Sequence, residues 1–148
     1  MRERISNALK EAQKAKDQLR VSTLRLVTAA IKDREIALRT EDRMLSEEDI
    51  LQILQKMIRQ RRESAQAYAA AARADLEEKE LAEIAIIEAF LPAQMSEAEI
   101  QAVCAKALAD IGACGLKDMG RAMAALKESY PGQMDFKKAS SMVKELLK

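Results

Sequence analysis

Cys104 and Cys114 are the only thiols in this 148-residue chain, and it contains no histidine. A nucleophilic cysteine needs a neighbouring base or cationic site to make it a thiolate, and histidine is the commonest side chain in that role. The commonest metal ligand is missing for the same reason, and two thiols ten residues apart without imidazole do not make a zinc site. With Cys104 on a helix and Cys114 in the loop after it, the geometry of a disulfide between them is unfavourable. Both are read as reduced, structural cysteines. No Gly-rich phosphate loop, Ser/His/Asp set or metal-spaced cluster stands anywhere in the chain. No catalytic residue, metal or cofactor is therefore expected.

The remaining chemistry belongs to charge. Lys and Arg number 25 against 24 Asp and Glu, so no strong global field marks a nucleic-acid binder. The balance is uneven: residues 2–39 hold ten basic and five acidic residues, and residues 40–90 hold seven and twelve, so the two blocks can pack with complementary charge. Glu77, Glu78 and Glu80 scatter over the polar side of a helix, as a solvated face does. Lys56, Arg59, Arg61 and Arg62 cover more than one helix face; half of them could meet a phosphate backbone, but pairing of Arg62 with neighbours such as Glu83 or Glu88 is the simpler expectation. Arg25 lies between Leu24 and Leu26, which predicts a partly buried ion pair with an acid of the third or fourth helix.

The tail has the clearer excess. From Gly115 onward seven cations (Lys117, Arg121, Lys127, Lys137, Lys138, Lys144, Lys148) face four acids. The loop "GACGLKDMG" brings backbone N–H groups and Lys117 to a helix start, an anion site by dipole and geometry. The plainer alternative makes Gly120 a close helix-packing contact and the lysines solvated decoration.

These side chains must be carried by helices. Apolar residues make up 49% of the chain but only Tyr68, Phe90, Tyr130 and Phe136 are aromatic, so the core is built from Ala, Leu, Ile and Met on closely packed helices. No Gly or Pro precedes Pro92, whereas Gly112, Gly115, Gly120, Pro131 and Gly132 follow it. Long helices are thus expected up to Leu91, where the residue before proline is pushed out of the helical region, and short ones with tight turns from Ser96. The first helix buries Ile5, Ala8, Leu9, Ala12 and Ala15. Asp17 caps the second, which runs to about Arg39 on Val21, Leu24, Val27, Ile31 and Leu38. After the polar link "TEDRM", Ser46 caps a third with Ile50, Ile53, Leu54, Met57 and Ile58 inside, reaching about Ala70. A fourth, from about Arg73 to Phe90, turns Leu76, Leu81, Ile84, Ile87 and Leu91 inward. Ser96 and Glu99 form a capping box opening a fifth, with Ile100, Val103, Cys104, Ala107 and Leu108 on one face, and Gly112 ends it in αL. Helices from about Lys117 to Ser129 and Asp135 to Leu147, joined through "YPGQM", complete a three-helix unit.

The opening residues show no apolar signal core, and the greasiest stretch, Leu81 to Leu91, is broken by Glu83 and Glu88 and is too short to span a bilayer. A cytoplasmic protein without a membrane partner is expected.

Three stretches together carry a resemblance: "LRVSTLRLVTAAIKDREI", "RADLEEKELAEIAIIEAFLPAQMSEAEI" and "GLKDMGRAMAALKESYPGQMDFKKASSMVKELL". The sequence closely resembles the YqeY family, or GatB/YqeY-domain proteins, over nearly its whole length, most specifically at "FLPAQMSEAEI" and "KDMGRAM". It departs from the family in the short turn "YPGQMD". The resemblance implies an all-α protein with an N-terminal helical domain over 1–92 and a three-helix domain over 96–148. That second domain is similar to the tail of the B subunit of glutamyl-tRNA(Gln)/aspartyl-tRNA(Asn) amidotransferase, which is implied to grip tRNA while the chemistry lies elsewhere. The expected function is therefore a tRNA-associated binding protein, with Lys117, Arg121, Lys127, Lys137, Lys138 and Lys144 as candidate nucleic-acid contacts and tRNA, or a tRNA-modifying or amidotransferase complex, as partner. The alternatives are a protein-interaction adaptor and a non-catalytic accessory to a glutamine-dependent carbon–nitrogen ligase.

Overall fold

The computed structural model describes residues 1–147; Lys148, counted above among the tail's cations, lies outside the described residues. Among those residues the fold is all-α, with seven α-helices, one 3-10 turn and no strand. The chain divides into two compact units, Met1–Leu91 and Pro92–Lys148.

The first unit holds α1 (Arg2–Ala15), α2 (Gln18–Arg39), α3 (Glu47–Ala70) and α4 (Ala74–Glu88). Asp17 caps α2 by accepting a hydrogen bond from the Arg20 amide at 3.2 Å. Ser46 caps α3, and Asp49 returns the bond to the Ser46 amide at 2.9 Å, closing a capping box that leaves two helix-start donors satisfied. The core is one cluster drawn from all four helices: Ile5 and Ala12; Leu24, Val27 and Ile31; Ile50, Leu54, Met57 and Ile58; Ile84, Ile87 and Phe90. This unit contains no glycine, so its tight turns use other residues with positive φ: Lys16 (58°), Asp42 (54°) and Ala72 (57°).

Two inward assignments differ from the expectation. Leu81 is 48% exposed, while Glu83 is buried at 8%. The line that packs against the core is Ile84, Ile87 and Phe90, and Glu83 falls on its edge where Arg61 of α3 meets it at 3.1 Å. Leu81 points past that edge into water. Arg25 is exposed rather than partly buried, and it makes no ion pair among the described residues, because Leu24 and Val27 take the inward positions of its turn.

The second unit packs α5 (Glu97–Asp110), α6 (Met119–Ser129) and α7 (Phe136–Leu146) around Ile100, Cys104, Leu108, Ala122, Leu126, Met134, Ala139 and Val143. The Ser96/Glu99 capping box opens α5 with bonds of 3.0 and 3.2 Å. Gly112 follows the helix in αL at φ 64°, as a C′ residue requires. Before α6 comes a 3-10 turn, Leu116–Asp118, so the α-helix starts two residues later than the spacing suggests. Asp135 caps α7, accepting the Lys137 amide at 3.0 Å. Gly120 is no packing contact: a side-chain carbon added there would meet nothing within 4 Å. Among the described residues no helix is long and apolar enough to cross a membrane.

Candidate functional site

Asp118 organises the loop that was expected to bind an anion. It stands at the junction of the 3-10 turn and α6, buried at 8%, and accepts the Cys114 amide on Oδ2 at 2.9 Å. Its Oδ1 meets Arg121 Nη1 at 3.4 Å, and Arg121 Nη2 donates to the Ile111 carbonyl at 3.3 Å. Arg121 thus ties the end of α5 to the start of α6. The Cys114 amide, then the charges of Arg121 and Lys117, hold the Asp118 carboxyl below the ordinary aspartate range. The loop's anion site is filled by the protein's own carboxylate, which corrects the reading of an open site. Sequence inspection counted Asp118 only as one of four local acids; its position three residues before Arg121, at the end of a Gly-rich loop, is the signal that was available.

The six candidate cations are all exposed, but they are not equivalent. Lys138 pairs with Glu97 of α5 at 2.8 Å, and that contact lowers the Glu97 carboxyl from its usual value. Arg121 is committed to Asp118. Lys127, Lys137 and Lys144 make no ion pair among the described residues, and Lys117 acts on Asp118 only through its field. Lys137 and Lys144 are seven positions apart on α7, so they lie on one face, two turns from each other. Lys127 is six positions from Arg121 on α6 and faces another way. Tyr130 and Phe136 are partly buried against the unit's core and present no open stacking platform.

The basic run of α3 is used within its own unit. Arg62 meets Glu88 at 2.6 Å; it is Arg61, not Arg62, that takes Glu83, while also donating to the Met57 carbonyl at 3.3 Å. Both cysteines are free. Cys104 is fully buried and burial pushes its thiol up, which disfavours the thiolate a nucleophile needs. Cys114 is exposed, with Sγ 3.4 Å from the Gly112 carbonyl oxygen. Among the described residues no three of His, Cys, Asp and Glu gather where a metal could bind.

A family model described as Yqey-like protein matches residues 2–147. Among curated proteins the chain is similar to "Altered inheritance of mitochondria protein 41, mitochondrial" of Kluyveromyces lactis, 37% identical over 110 residues that cover 72% of this chain and 58% of the relative. The protein of the same name from Lachancea thermotolerans is 38% identical over 110 residues, 72% of this chain and 57% of the relative. That from Eremothecium gossypii is 36% identical over 89 residues, 60% and 48% of the two chains. The chain thus spans little more than half the length of these relatives. Their names place them in mitochondria, which overturns the expectation of a cytoplasmic protein; that expectation rested only on the absence of a leader-like start and of a membrane span.

Proposed function

The chain belongs to the family of Yqey-like proteins, and on that premise we propose that it is a tRNA-associated binding protein that meets the phosphate backbone through exposed lysines of its Pro92–Lys148 unit. The observation that carries the reading is the set of cations left unpaired once the internal bridges are made. Lys137 and Lys144 share one face of α7, and Lys117 and Lys127 are exposed nearby in sequence. The resemblance of this unit to the tail of an amidotransferase B subunit supports RNA as the polyanion. With no aromatic platform, affinity is electrostatic and falls with salt; about three to five neutralised phosphates correspond to a slope of log affinity against log salt of roughly −2 to −4.

The test is a titration of labelled tRNA with wild type and with a Lys117/Lys127/Lys137/Lys144 quadruple alanine variant at two salt concentrations, after circular dichroism has shown equal helix content. The variant should bind more weakly and with a slope near zero. Equal affinities and equal slopes would remove the nucleic-acid reading. The adaptor reading would then take its place, favoured by Leu26 and Ile36, which stand half exposed on α2.

Chemistry at the ligand is not part of the proposal. Given glutamine and misacylated tRNA, the chain alone should show no transamidation, since glutamine hydrolysis needs an activated nucleophile and an oxyanion hole. Turnover that disappears with Cys104→Ser or Cys114→Ser would overturn this.

A further inference from the structure

The widest opening in the Met1–Leu91 unit lies between α2 and α3, a groove of about 540 Å³ with Ala30, Asp33 and Ala37 on one wall and Ile53, Lys56 and Gln60 on the other. On α2 the line Leu26, Ala30, Asp33, Ala37 steps by four, three and four residues; on α3 the line Asp49, Ile53, Lys56, Gln60 does the same. That is the spacing of a coiled-coil seam. Two seams opening into one groove leave a place shaped for another helix. The small side chains of Ala30 and Ala37 let a backbone approach closely, and Leu26, 51% exposed, continues the line beyond the groove.

We propose that this face is a self-complementary interface on which a second copy of the chain seats its own α2. A four-three-four line reads the same in either direction. A two-fold axis between Ala30 and Asp33 therefore sets the two α2 helices antiparallel, with Leu26 of each copy opposite Ala37 of the other and Ala30 opposite Asp33. Each large side chain meets a small one. The charges obey the same symmetry: Asp33 and Asp49 balance Arg34 and Lys56 around the groove, and an interface made with itself needs both signs in equal number. Asp49 is already held by Ser46, whereas Asp33 and Lys56 are exposed and make no ion pair among the described residues of their own chain. Across the axis each Asp33 reaches Arg34 or Lys56 of the second copy. Ile36, 54% exposed, flanks the contact.

The experiment is sedimentation equilibrium of the full chain from low micromolar to submillimolar concentration, with light scattering as a second reading of mass. Wild type should rise from 16.5 kDa toward twice that mass. Leu26→Glu should stay at the monomer mass with unchanged helix content, since Leu26 already stands half in water. Asp33→Lys should weaken association about tenfold or more, and Asp33→Lys with Lys56→Asp should restore it. Wild type that remains a monomer at the highest concentration overturns the proposal. So does a dimer indifferent to Leu26→Glu, which would be built on another surface, or a double exchange that associates no better than Asp33→Lys alone.

Discussion

Glu83 and Leu81 are two residues apart on α4, and each takes the environment that polarity alone would assign to the other. Glu83 is tolerated inside because Arg61 reaches it at 3.1 Å with both side chains largely shielded. Removing one member of such a pair leaves the other charge desolvated without a partner, so Glu83→Ala should destabilise the first unit by about 3 kcal/mol, and Arg61→Met with Glu83→Leu should recover most of it. Leu81→Ala should change stability by less than about 0.5 kcal/mol. Urea unfolding followed by circular dichroism separates the cases; equal effects at 81 and 83 would show that the pair contributes nothing. Asp118 makes a pH prediction. Its folded pKa lies below the ordinary aspartate value of about 4, so its contribution to stability is complete above that pH and is lost as pH falls through the folded pKa. Wild type should therefore lose stability more steeply below about pH 4 than Asp118→Asn does. Parallel curves would mean that the carboxylate is held no more tightly in the fold than in the unfolded chain. These pairs also mark where sequence reading stops. The six tail cations could be named from composition, but Lys138 meets Glu97 across 41 residues and Arg121 meets a carbonyl ten residues back, contacts that depend on how the helices fold over each other.

Helix starts were legible at the element scale and helix ends less so. The capping boxes at Ser46 and Ser96 are closed by side chains three residues away, so a few consecutive letters contain the whole interaction. Gly112 announces its αL turn because glycine alone takes that conformation without strain. Nothing marks Lys16 or Ala72, which adopt the same conformation where no glycine is present. At the turn between α3 and α4 the Arg73 amide donates to the Tyr68 carbonyl at 2.9 Å, and this geometry holds Ala72 at φ 57°. An alanine there stores about 1 kcal/mol of steric strain, part of which glycine relieves at the cost of greater freedom in the unfolded chain. Ala72→Gly should consequently raise stability by about 0.5 kcal/mol, whereas the usual effect of glycine in a helix is destabilising. A drop in the urea midpoint would show that the turn relaxes away from αL in solution.

At the scale of the whole molecule, the change from a glycine-free stretch to a glycine-rich one coincides with the boundary between the units at Leu91 and Pro92. The reason is physical: long helices buried on one side need no breakers, while three short helices around a small core need a sharp turn at each end. What the letters do not show is how tightly the second unit holds its own entry. The Met95 amide donates to the Gln133 carbonyl at 2.9 Å and the Gln94 side chain to the Gly132 carbonyl at 2.7 Å, so the chain is fastened from Gln94 onward. Pro92 has no amide to donate and Ala93 is exposed. Backbone without such bonds opens most readily to a protease. Brief digestion with a protease of broad specificity should therefore cut first at Pro92–Ala93 or in the exposed link between α2 and α3 around Arg43 and Met44, and not within residues 94–96. The fragment starting near Ala93 contains every residue of its own apolar cluster, so after purification it should keep a helical spectrum and unfold cooperatively. Early cleavage inside α4 or α5, or a fragment that loses its helix content on isolation, would show that the second unit depends on the first for its fold.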